Sequence, residues 1–151
     1  MKISKPTLND LDNMAELTKY YVENGIIIHR DRDEMANTIR SYFVAKSKNR
    51  ILGLVALHIY SEDLAEVRSL VVDKSMHGKG IGSKLIKALE KEAKEIGVSK
   101  ILVLTYQDGF FKKIGYSEIE KLLIPNQKIW ADCIKCKHFP QCDEIALIKQ
   151  I

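Results

Sequence analysis

No apolar run in this chain approaches the length of a membrane span, and Met1 to Asp10 lacks the apolar stretch of a secretory signal. A soluble, cytoplasmic protein is the expectation. Tracts of one charge are missing too: the formal net charge is +4, with 24 Lys and Arg interspersed among 20 Asp and Glu. That balance points away from nucleic acid or a membrane as partner, and argues only weakly for an anionic ligand. There is no repeat, low-complexity tract or linker, and only three prolines. At 46% hydrophobic content, residues 1–151 are therefore expected to form a single domain with a sizeable core. Cysteine is scarce and confined, its three copies falling between Cys133 and Cys142.

What is present has clear periodicity. Met1 to Lys5 reads as a short strand, and Thr7 with Asp10 three residues on gives a capping-box-like start to a helix running to Asn24-Gly25. A second helix is expected from Asp33 to about Ser41. Between Tyr42 and Asp73, "YFVAKS", "RILGLVALHIY" and "AEVRSLVVD" read as an antiparallel meander with short breaks near Asn49 and Asp63. The middle segment is apolar on both alternating faces, which predicts a central strand covered on both sides. Leu85, Ile86, Leu89, Ala93 and Ile96 form one stripe of a helix that Gly97 can cap. After it come a buried strand "KILVLTY", a short helix "GFFKKIG", an edge strand or loop "YSEIEKLL" and a last strand "EIALIKQ". The pattern is an α/β sheet covered by helices.

Three of the eight glycines, Gly78, Gly80 and Gly82, crowd the mouth of the long helix. Glycine serves where backbone takes unusual dihedrals or approaches a ligand closely, and a helix mouth has spare N–H groups and the positive dipole end, so an anion is the expected guest. Two nucleotide motifs fail. "GKGIGSK" does not frame a Walker loop, and Gly80-x-Gly82 is followed by Leu85 where the dinucleotide fingerprint needs glycine.

The stretch "EVRSLVVDKSMHGKGIGSKLIKALEKEA", with "FFKKIGY" after the next strand, resembles the acyl-CoA loop of the GNAT superfamily of N-acetyltransferases. The family pattern Q/R-x-x-G-x-G/A falls on His77-Gly78-Lys79-Gly80-Ile81-Gly82, with His77 where Gln or Arg is usual. The resemblance implies a mixed, mostly antiparallel central sheet flanked by helices, an α/β (α+β) fold splayed between its fourth and fifth strands by a bulge. It implies acetyl-CoA as cosubstrate. Leu70, Val71 and Val72 would pair with the pantetheine arm, and the amides from Gly78 to Ser83, Lys79 and Ile81 included, would hold the pyrophosphate. Phe110 would border the same cofactor; it and Phe111 stand where the family's usual tyrosine acid lies, which leaves Tyr106, nearby at the strand end, or water to protonate the thiolate.

Nearly the whole chain resembles short, single-domain N-acetylglutamate synthase-like acetyltransferases, through "IIIHRDRDEM", "ALHIYSEDLAEVRSLVVD", "VLTYQDGFFKKIGY" and "KIWADCIKCKHFPQCDEIA". That implies acetylation of the α-amino group of L-glutamate by direct transfer, the entry step of arginine synthesis. Arg30 and Arg68, with Lys128 as a third cation, would then face the acceptor, and Trp130 would help wall its pocket. A dicarboxylate suits arginine, whose fork binds carboxylate in bidentate fashion. Glu66 is the leading candidate base and His58 its rival, against solvated or packed readings of the same residues. Another amino acid, a polyamine or a protein amine stays open as acceptor, as does a non-catalytic acyl-CoA or metal-responsive module, and as does a homodimer.

In the segment 128–144, Cys133, Cys136, His138 and Cys142 offer four zinc ligands, but their spacing is compressed for such a site. No metal is expected. Reduced structural thiols or a redox-sensitive pair are the alternatives.

Overall fold

The computed structural model describes residues 1–125, 128, 132–136 and 142–151. Trp130 and His138 lie outside the described residues. In chain order the elements are β1 (Lys2–Ser4), α1 (Leu11–Glu23), α2 (Arg32–Asn37), β2 (Tyr42–Ser47), β3 (Arg50–Ile59), β4 (Leu64–Val72), α3 (Ile81–Ile96), β5 (Lys100–Thr105), α4 (Asp108–Lys113), β6 (Ser117–Glu118) and β7 (Ile145–Gln150). The strands form one sheet in the order β1-β2-β3-β4-β5-β7-β6. Among the described residues only β4 and β5 run parallel; the other neighbours are antiparallel.

The doubly apolar β3 is covered on both sides, as its composition requires. On one face Leu52, Val55 and Leu57 pack with the buried stripe of α3, Leu85, Ile86, Leu89 and Ala93. On the other, Leu54 and Ala56 pack with Leu11 and Met14 of α1 and Met35 of α2. Leu85, Ile86 and Leu89 are each 1% exposed or less, and burying such a side chain is worth roughly 1.5–3 kcal/mol. Gly97 ends α3 at a φ of +99°, where an L side chain would be strained.

Two expected boundaries move. The first helix opens with a 3-10 turn at Leu8–Asp10, where Thr7 N–H donates to Asp10 Oδ2 at 2.9 Å. The second starts at Arg32, because the Asp31 side chain caps Glu34 N–H at 2.8 Å, and stops at Asn37. Thr38 then turns its hydroxyl back onto Glu34 O at 2.8 Å, a bond that bends helices, and Ile39–Ser41 continues as a 3-10 turn.

One irregularity shapes everything functional. Along β3 and β4, Leu54 pairs with Val71 but Ala56 pairs with Arg68, so Ser69 and Leu70 together oppose Val55. Ser69 takes up this bulge at a φ of +57°. A bulge bends its strand and adds twist, and β4 accordingly pairs with β5 only through Leu64, Ala65 and Glu66. Beyond Glu66 the two strands part, which is the splay expected between the fourth and fifth strands.

Candidate active site

The splay opens a cleft of about 590 Å³ between β4, β5, α4 and the mouth of α3. Leu70, Val71 and Val72 line it from β4, and His77, Gly78, Gly80, Ile81, Gly82 and Ser83 from the turn and the first turn of α3. Phe110 and Tyr106 close the far side. Of the residues expected to hold the cofactor, only Lys79 is not part of this wall; it is exposed. Gly78 and Gly80 each sit at a φ of +79°, and Gly80 is the N-cap of α3. A side chain at Gly82 would begin 3.4 Å from Phe110 Cζ. Backbone is thereby bared at a helix start, an arrangement suited to a diphosphate.

A second cavity, of about 120 Å³, adjoins the first. Ile26, Ile27, Val67, Ser69, Leu104 and Glu144 wall both, so a ligand in one meets a ligand in the other at this seam. Its inner wall carries charge: Arg30, Glu66, Arg68 and Lys128 all line it. Glu66 and Arg68 are two apart on β4 and share one face. The predicted site residues for the acceptor are thus brought together, from the loop before α2, from β4 and from the segment after β6.

Their charges interlock. Glu66, only 1% exposed, accepts from Tyr60 Oη at 2.8 Å and Arg68 Nε at 2.9 Å on one oxygen, and from Lys128 Nζ at 2.6 Å on the other. This excludes the solvated reading of Glu66. Asp132, fully buried, takes Arg30 Nη1 at 2.6 Å, Arg68 Nη2 at 2.8 Å and Lys128 Nζ at 2.9 Å. Arg30 Nη1 also reaches Glu34 Oε2 at 3.1 Å. Burial disfavours each cation, yet the carboxylates outweigh it and hold Arg30, Arg68 and Lys128 above their ordinary pKa values. For Asp132 burial pushes upward, but the Arg30 hydrogen bond and the charges of Lys128, Arg30 and Arg68 hold its carboxyl well below the usual range.

His58 stands directly opposite Glu66 in the β3–β4 ladder, its ring edge-on to Tyr60 at 4.8 Å. Burial first, then Arg68, lowers its pKa from 6.5, so the imidazole is neutral at physiological pH. Tyr106 donates its hydroxyl to Asp143 Oδ1 at 2.7 Å, and burial and that bond push its pKa up, keeping the phenol protonated. Phe111 is core, 2% exposed. Cys133, Cys136 and Cys142 are free thiols, Cys136 in the wall of the smaller cavity. Among the described residues no group of three or more His, Cys, Asp or Glu is placed to hold a metal.

Sequence reasoning missed Asp132, Tyr60 and Ser69. Asp132 had one available signal: three cations gathered in a buried pocket need more than one carboxylate, since an unpaired buried charge is very costly. Ser69 had none, because a bulge is set by pairing across strands, and Tyr60, just past β3, had none because its bond to Glu66 depends on how the β3–β4 turn closes.

Residues 8–116 match the model of the acetyltransferase (GNAT) family. An uncharacterized N-acetyltransferase of Chlorobaculum tepidum is 41% identical over 144 residues, covering 95% of this chain and 92% of that protein. An amino-acid acetyltransferase of Mycobacterium tuberculosis is 26% identical over 121 residues, covering 78% of this chain and 69% of that one. In fold, the chain superposes with a TM-score of 0.87 and 22% identity on Neisseria gonorrhoeae N-acetylglutamate synthase complexed with coenzyme A and N-acetyl-glutamate. The match takes in 99% of this chain, which spans only 34% of that one.

Proposed function

The chain belongs to the acetyltransferase (GNAT) family, and from that premise we propose that it acetylates the α-amino group of an acidic amino acid, L-glutamate, with acetyl-CoA as cosubstrate. The product would be N-acetylglutamate, the entry to arginine synthesis. One observation carries the reading: the cavity that meets the cofactor cleft is walled by Arg30, Arg68 and Lys128 together.

The residues divide the work. The amides of the Gly78–Ser83 turn and the dipole of α3 hold the diphosphate, and β4 past its bulge holds the pantetheine arm. Acetyl-CoA bound there would supply the thioester carbonyl that the amine attacks; the amide forms as the C–S bond breaks, and the departing thiolate takes its proton from water. Arg30 and Arg68, held in place by Asp132 and Glu66, offer their remaining N–H donors to the acceptor carboxylates, and Lys128 adds a point charge. Glu66 receives the proton that the ammonium must lose, directly or through water; it lines the cavity, and His58 stands next to it.

Incubation with acetyl-CoA and a panel of amino acids, following coenzyme A release, tests this. Fastest turnover is expected with glutamate. Arg68→Lys, which keeps charge but loses the fork, should raise the glutamate KM about tenfold or more and leave that of acetyl-CoA in place. No turnover with glutamate would remove the substrate assignment. A neutral amino acid is the second reading, favoured by the carboxylates of Glu66 and Asp132, which already pair with all three cations.

A further inference from the structure

Tyr21, in the last turn of α1, lines the cofactor cleft and is hydrogen-bonded to the chain that walls the acceptor cavity. Its main-chain carbonyl accepts from Ile26 N–H at 2.9 Å and from Ile27 N–H at 3.4 Å. The chain after α1 is folded back by these bonds, and both isoleucines then wall the cofactor cleft and the acceptor cavity at once. The side chain points the other way. Its hydroxyl donates to Val72 O at 2.6 Å, at the last residue of β4, and lies 3.2 Å from His77 Nε2. The same imidazole nitrogen is 3.0 Å from Val72 O, so in its Nε2–H tautomer it donates to that carbonyl as well, and the two donors occupy both lone pairs. His77 is the residue standing where the loop pattern has Gln or Arg. Its ring is turned toward the strand, held by the Val72 carbonyl that it shares with the Tyr21 hydroxyl.

Burial, then the charges of Asp73 and Tyr20, raise the pKa of the Tyr21 phenol above 10.0, so it remains a donor through the neutral range. The main-chain bonds could be made by any residue; the side chain is what is particular here, a rigid ring that carries its hydroxyl from α1 to the end of β4.

We propose that Tyr21 is a positioning residue that couples the two substrate sites, its hydroxyl setting the exit of β4 and His77 at the phosphate turn and its main chain setting the isoleucine wall shared with the acceptor. Filling the cleft then tightens binding in the neighbouring cavity, and the reverse holds by reciprocity. The acceptor half of this proposal rests on the acetyl-transfer reading above; the coenzyme A half does not.

Tyr21→Phe removes the hydroxyl and keeps the ring and the main chain. Titration calorimetry with coenzyme A is expected to show about three- to tenfold weaker binding, the range of one lost hydrogen bond. Titrating glutamate with and without coenzyme A reads the coupling: the factor by which coenzyme A tightens glutamate binding should shrink toward one in the variant. A purely structural tyrosine would lower the melting temperature and leave that factor alone. Equal coenzyme A affinity in wild type and variant overturns the proposal, and so does an unchanged coupling factor. Were glutamate not the acceptor, the amino-acid panel would show it in the wild type, and the coenzyme A titration would still decide the role of Tyr21.

Discussion

At Asp132 burial and charge pull in opposite directions. Desolvation alone would leave a fully buried carboxylate protonated, but three cations from three segments keep it ionised. In return it aligns Arg30, Arg68 and Lys128, whose like charges would otherwise repel within one small pocket. Removing one partner of such a cluster leaves buried charge uncompensated. Asp132→Asn is therefore expected to destabilise the protein by about 3–5 kcal/mol, measured by denaturant unfolding at pH 7. The pH dependence has a definite sign. A carboxyl whose folded pKa is held below its unfolded value of 3.8 contributes stability that is present above that value and is lost as pH falls through the folded one. The difference between wild type and variant should accordingly narrow only in strong acid. A difference that vanished already at pH 5 would show that Asp132 is not held as an ion.

Two elements make the cleft, and each does so by breaking a regular pattern. β4 spends an extra residue at Ser69–Leu70, and its partnership with β5 ends at Glu66. α3 is entered through Gly78 and Gly80 at positive φ, which bares backbone at its N-terminus toward the cleft. The steric cost at such a position is about 1–2 kcal/mol for an L residue. Nothing lies within 4 Å of a Cβ built at Gly80, so strain in the backbone is the whole effect there. Gly80→Ala is expected to lose about 1 kcal/mol of stability and to weaken coenzyme A binding, read by thermal melting and by calorimetry. Coenzyme A bound as tightly as by the wild type would mean that the turn does not cradle the diphosphate.

Across the whole molecule, one sheet separates two cores, with α3 on one face and α1 and α2 on the other. The cleft lies where both faces and the gap between β4 and β5 meet, so a ligand there bridges elements that the sheet alone holds less firmly. A ligand that binds only the folded state stabilises it by mass action, about 2.7 kcal/mol at one hundred times its Kd. For a chain of 151 residues that corresponds to a rise in melting temperature of roughly 5–10 °C. Thermal scanning with coenzyme A checks it, and a melting temperature that stays in place at saturating coenzyme A would contradict the cleft assignment.

Local pattern was enough for much of this. The continuous apolar run of Arg50–Ile59 and the stripe of Ile81–Ile96 determined a central strand and its covering helix, because burial on one face or two is written in residue spacing. The glycines of the turn likewise announced a bared helix mouth. Pattern also marked Arg30, Glu66, Arg68 and Lys128 as worth watching, through a family resemblance in their segments. What only tertiary structure decided is how they are charged and aimed. The bulge at Ser69 arises from pairing between strands, and the buried Asp132 finds Arg30 at a separation of 102 residues. Neither follows from neighbours along the chain, since strand register and ion pairing are settled in space, where desolvation makes every unmatched charge expensive.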